Sequence, residues 1–123
     1  MSKILIVDDD PDIVEAVRLV LGKEGHDVGS ASNYAEGMAK LEELGPDLVI
    51  LDVMMEEPDD GLRWAREARR KGKTVPILML TSVNATLGLM IGKDDEVNPV
   101  DVFYEKPIEP ATLVEKVTQL LQK

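Results

Sequence analysis

Four short apolar runs each lead to a residue able to do chemistry. Asp8 and Asp9 follow Ile4-Leu5-Ile6-Val7, and Asp52 is set into the run Leu48 to Met55. Thr81 follows Ile77-Leu78-Met79-Leu80, and Lys106 follows Val102-Phe103-Tyr104-Glu105. A carboxylate inside an apolar run is costly to bury unless something compensates it, so Asp52 calls for a functional account that a surface acid would not. If the four runs are parallel strands, their ends converge on one rim, where open α/β sheets bind ligands. Three carboxylates held together there repel one another until some protonate or a cation joins them. An all-oxygen donor set suits a hard ion, and Mg2+ typically uses one or two carboxylates plus waters and phosphate oxygens. The set suits phosphoryl transfer: Asp52 as the carboxylate that accepts the group, with the Lys106 ammonium and the Thr81 hydroxyl each taking a phosphoryl oxygen.

The elements that must position these groups alternate along the chain. Lys3 to Val7 reads as the first strand, and Asp10-Pro11 supplies an N-cap followed by proline at the first helical position. That helix is predicted to run to about Lys23, with Ile13, Val14, Val17, Val20 and Leu21 inward and Gly22 or Gly25 at its end. A second strand, Asp27 to Ala31, precedes a helix capped by Ser32 or Asn33 and stopped by Gly45-Pro46. The central strand, the acidic loop Glu56 to Asp60 and a basic helix from Gly61 to about Lys71-Gly72 come next, then a strand over Pro76 to Leu80. Between Ser82 and Pro99, Gly88 and Gly92 weaken the helix that alternation requires, so a short or mobile fourth helix is expected. Val102 to Glu105 is the fifth strand, and the last helix has Pro110 in its first turn and Leu113, Val114, Val117, Leu120 and Leu121 as its buried stripe. Five βα units favour a parallel sheet with right-handed crossovers and helices on both faces.

Composition narrows the function classes. The 123 residues are sized for one domain. A formal net charge of −10 argues against nucleic acid or an anionic membrane as the direct ligand. The absence of cysteine excludes disulfides and thiolate chemistry and fits a cytoplasmic location. Met1-Ser2-Lys3-Ile4 leads into aspartates too soon for a signal peptide, and no apolar segment approaches the roughly 20 residues of a membrane span. Arg63, Arg66, Arg69, Arg70 and Lys71 make one helix basic, but Glu67 is spaced to pair with Arg63 and Lys71, which favours a solvated face.

Taken together in order, Asp8-Asp9, Asp52, Thr81-Ser82, Phe103 and Lys106-Pro107 resemble the receiver domains of two-component response regulators, and the likeness covers essentially residues 1–123. It implies a flavodoxin-like, doubly wound five-stranded parallel sheet in the order 2-1-3-4-5 with five helices, similar to a single-domain chemotaxis regulator. By the same resemblance Asp52 is the phosphoacceptor. Asp9 and Asp52 would ligate Mg2+ through their side chains, Met54 through its backbone carbonyl and Asp8 through water, with Mn2+ able to substitute. Thr81 and Phe103 would form the switch, and Lys106-Pro107 the family's cis peptide. The implied function is a phosphorylation-activated signalling switch and not an enzyme acting on other molecules. Its phosphoryl donor would be a sensor histidine kinase or phosphotransfer protein and its target an unidentified downstream protein, with no direct contact to nucleic acid or membrane. It would be a monomer or a weak, phosphorylation-dependent dimer.

This sequence departs from the family pattern in places. Glu56 stands where the family usually has proline, and Asn98-Pro99-Val100 replaces the usual Gly-Ala before the fifth strand. Met54 and Val83, two residues beyond Asp52 and Thr81, cannot orient a water by hydrogen bonding, so slow self-dephosphorylation is expected. An aspartate-nucleophile phosphatase of the haloacid dehalogenase kind would need an acid where Met54 is. A phosphorylation-independent interaction module is disfavoured by the intact polar set. Gly88 to Asp94 imitates a P-loop, but it is one residue short and has Asp94 where Ser or Thr must hold Mg2+.

Overall fold

The computed structural model describes residues 2–52, 60–81, 102–105 and 109–122, with residues 60, 81 and 102–105 described by their backbone. Five strands and four helices lie among them: β1 (Lys3–Val7), α1 (Pro11–Lys23), β2 (Asp27–Ala31), α2 (Tyr34–Leu44), β3 (Leu48–Asp52), α3 (Asp60–Arg70), β4 (Ile77–Thr81), β5 (Val102–Glu105) and α4 (Pro110–Leu121). The expected helix between Ser82 and Pro99 falls outside the described residues.

All strand pairs are parallel, and the sheet order is β2-β1-β3-β4-β5, the flavodoxin-like arrangement that the resemblance implied. β3 lies at the centre with every residue buried, which is why its sequence is an uninterrupted apolar run and does not alternate. Side chains of successive strand residues point to opposite faces and build two cores. Leu5, Val7, Val49, Leu51, Ile77 and Met79 face α2 and α3, together with Leu41, Leu62 and Trp64. Ile4, Ile6, Leu48, Ile50, Leu78 and Leu80 face α1 and α4, together with Val17, Leu21, Leu113, Val117 and Leu120. The inward stripes predicted for the first and last helices are thus observed, with Ile13, Val14, Val20, Val114 and Leu121 partly buried at their margins.

Local chemistry fixes the helix ends. Asp10 caps α1 by accepting from the Asp12 N–H at 2.9 Å, and Pro11 opens the helix. Asn33, and not Ser32, is the N-cap of α2, accepting from the Glu36 N–H at 2.8 Å. The Glu36 carboxylate turns back and accepts from the Ser32 N–H at 2.7 Å and the Ser32 hydroxyl at 3.0 Å, so both ends of the cap are satisfied. α2 ends on Gly45 in the left-handed region (φ 55°), a conformation that a side chain would strain. Arg69 closes the turn after α3 by donating to the carbonyls of Lys73 (3.1 Å) and Val75 (2.8 Å).

Two boundaries differ from expectation. β4 spans Ile77–Thr81, one residue later than Pro76 to Leu80, because its register carries Thr81 opposite Glu105 of β5. α3 begins at Asp60 and ends at Arg70. On its outer face Glu67 pairs with Arg70 at 2.8 Å rather than with Arg63 or Lys71. The i, i+3 partner satisfies the acid in place of the i±4 partners foreseen.

Candidate functional site

Register brings the acids together. Val7 of β1 lies opposite Leu51 of β3, so one step further along each strand puts Asp8 level with Asp52 at the same sheet edge. Asp52 in turn lies opposite Leu80, the residue before Thr81. The backbone of Thr81 therefore sits at the same rim, at the end of β4, as the apolar-run argument required. Phe103 lies within β5 opposite Met79. Met54, Lys106 and Pro107 fall outside the described residues.

Carboxylate oxygens of Asp8, Asp9 and Asp52 all lie within 4.8 Å of one another. Asp8 is 2% and Asp52 7% exposed, whereas Asp9 is open to solvent, so two acids are withdrawn from water and the third faces it. Asp8 is held by the chain around it. Its N–H donates to the Ala31 carbonyl at 3.0 Å, and one of its carboxylate oxygens accepts from the Asp10 N–H at 2.9 Å. That charge-assisted bond orients Asp8, and carboxylates clustered in a poorly solvated place repel one another in a way that a cation joining them relieves.

The donor set fits a hard divalent cation. Oxygens around an octahedral Mg2+ at about 2.1 Å stand roughly 3 Å apart in neighbouring positions and about 4 Å apart in opposite ones. A spacing within 4.8 Å is close to that, with slack for a carboxylate that acts through water. Beside the acids opens a groove of about 470 Å3 lined by Asp8, Asp9, Glu15, Ser30, Ser32 and Glu36, giving access along the β2 side of the rim. Glu36 ionises below the usual glutamate range because the Ser32 backbone N–H and hydroxyl bond its charged form, with Lys40 adding a smaller attraction.

Comparison with known proteins agrees with this geometry. The model of the response regulator receiver domain family matches residues 4–118. This chain belongs to that family. It is 35% identical to the alkaline phosphatase synthesis transcriptional regulatory protein PhoP of Bacillus subtilis (strain 168), over 99% of this chain and 49% of that protein. The chain spans about half the length of the curated relatives it matches. Among solved structures, the response regulator TrrA of Thermotoga maritima, in complex with Mg2+ and BeF, is 34% identical with a TM-score of 0.82, covering 98% of this chain and 99% of that one. A CheY-like receiver domain protein of Methanospirillum hungatei is 26% identical with a TM-score of 0.86, covering 99% of this chain and 94% of that one. Receiver domains of this family are the signalling switches of two-component systems, phosphorylated on an aspartate.

Sequence reasoning missed two features beside the site. The first is the bond from Asp10 N–H that orients Asp8; an Asp-Asp-Asp run ahead of proline hints at such a local turn without saying which acid accepts. The second is the contact among Gly37, Trp64 and Val7 behind the rim.

Proposed function

We propose that residues 1–123 form one receiver unit that takes a phosphoryl group onto Asp52 from a phosphohistidine of a sensor kinase or phosphotransfer protein. The observation that carries this reading is the cluster of Asp8, Asp9 and Asp52 oxygens within 4.8 Å at the end of a buried strand pair. A bound Mg2+ supplies charge neutralisation there, and the same oxygen set would accept Mn2+. Asp9 and Asp52 are the proposed direct ligands with the Met54 carbonyl, and Asp8 acts through water. The complex of the Thermotoga relative with Mg2+ and BeF supports a metal-dependent site.

In the transfer, an Asp52 carboxylate oxygen bonds to phosphorus as the bond from phosphorus to the donor's imidazole nitrogen breaks. The imidazole leaves with the bonding electron pair, and hydrolysis later returns the carboxylate and inorganic phosphate. Lys106 neutralises a phosphoryl oxygen, Thr81 donates its hydroxyl to another, and Phe103 follows Thr81 inward. The chemistry is confined to the domain's own phosphorylation and dephosphorylation. Its output is an altered face for a downstream protein.

Incubation with acetyl phosphate tests the reading. Phosphoryl incorporation is expected with Mg2+ or Mn2+ and is expected to vanish on chelation. Incorporation that is indifferent to chelation would overturn the metal-dependent reading.

A further inference from the structure

Behind the acidic rim, Gly37 of α2 lies close to Trp64 of α3 and Val7 of β1. Trp64, the only tryptophan of the chain, is fully buried on α3. Gly37 is the fourth residue of α2, inside a helix, where glycine is a poor helix former. A Cβ at position 37 would fall 2.7 Å from Trp64 Nε1 and 3.0 and 3.1 Å from the two γ-methyl groups of Val7. The missing side chain is what lets the edge of the indole come this close to α2. The indole nitrogen has no hydrogen-bond partner among the described residues.

Val7 is the residue before Asp8 and the register partner of Leu51, the residue before Asp52. β1 is flanked by β2 and β3 and cannot slide sideways, and a close-packed interior passes a displacement on to its neighbours. We infer that Trp64, seated against Gly37 in the core that also holds Val7, is a positioning residue that sets the spacing of the Asp8, Asp9 and Asp52 carboxylates and so the affinity of the pocket for a divalent cation. The inference rests on the metal-dependent reading of the pocket given above. Trp64 acts through Val7 and touches no reacting atom.

Magnesium binding is measured by calorimetry on the wild type, Gly37→Ala, Gly37→Ala/Trp64→Phe, Trp64→Leu and Leu120→Ala, with the thermal midpoint and the Asp8 amide NMR shift recorded for each without metal. Gly37→Ala and Trp64→Leu are expected to weaken Mg2+ binding by about 10-fold, as loss of a supporting neighbour does at other metal sites. Both are expected to move the Asp8 amide. Phenylalanine, which removes the indole nitrogen facing position 37, is expected to restore most of the affinity in the Gly37→Ala background. Leu120→Ala, in the core on the other sheet face, is expected to lower the midpoint while leaving Mg2+ affinity and the Asp8 amide unchanged. If Gly37→Ala does not fold, Trp64→Leu decides. The inference is overturned if the folded variants bind Mg2+ like wild type, or if Leu120→Ala weakens binding as much as Trp64→Leu. A wild type without Mg2+ affinity would instead overturn the reading of the pocket; an Asp8 amide unmoved by Trp64→Leu would then overturn the positioning role as well.

Discussion

The two faces of the sheet are packed on different terms. Under α1 and α4 the core among the described residues is made of branched aliphatic side chains, Ile4, Ile6, Val17, Leu21, Ile50, Leu113, Val117 and Leu120 among them. Under α2 and α3 a large, fully buried ring, Trp64, is fitted against Gly37, with small residues Ala65 and Ala68 beside it on the same helix. Aliphatic cores of the first kind tolerate repacking when volume is kept. A ring matched to a missing side chain has far fewer alternative arrangements, and this matched contact lies directly behind Asp8. The sheet therefore has one face that mainly supplies stability and one whose packing also bears on the acid-bearing strand ends.

Truncations separate the two faces. Trp64→Ala is expected to cost about 3–5 kcal/mol of unfolding free energy, since it empties a large, fully enclosed volume. Leu120→Ala is expected to cost about 2–4 kcal/mol. Urea melts check both, and a Leu120→Ala loss larger than that of Trp64→Ala would reverse the comparison. A smaller effect belongs to the cap of α2, the helix that carries Gly37: Asn33→Ala removes the acceptor for the Glu36 N–H and is expected to cost about 1 kcal/mol in the same melts.

The smallest effect is a pH dependence of that cap. Glu36 ionises below its ordinary value when folded, so its contribution is fully present above the ordinary glutamate range and is lost as the pH falls through the lowered folded value. The stability difference between wild type and Glu36→Gln should therefore shrink on acidification and stay constant from neutral pH upward, as followed by thermal melts across pH. A difference that grew towards low pH would contradict the Ser32 bonds as its cause.

Much of this was legible in the sequence, for identifiable reasons. Apolar runs bounded by Gly, Pro and Asp marked the strands, and Asp10-Pro11 and Gly45-Pro46 marked helix ends, because these residues act through their own backbone geometry. Convergence of Asp8, Asp9 and Asp52 followed from placing each at a parallel strand end. What could not be read was anything set by tertiary fit: which of Ser32 and Asn33 caps α2, where β4 ends against β5, and which arginine Glu67 chooses. The Trp64–Gly37 contact is of this kind. Its one local sign was a glycine within an otherwise sound helix, a residue that costs helix stability unless something must come close.

The central claim is that Asp52 is the phosphoacceptor, and mapping the modified residue tests it most directly. After incubation with acetyl phosphate and Mg2+, borohydride reduction converts an aspartyl phosphate to homoserine, which peptide mass spectrometry locates. The account predicts homoserine at position 52 in the wild type and no phosphoryl gain in Asp52→Asn. Homoserine at position 8 or 9 instead, or full incorporation in Asp52→Asn, would contradict it.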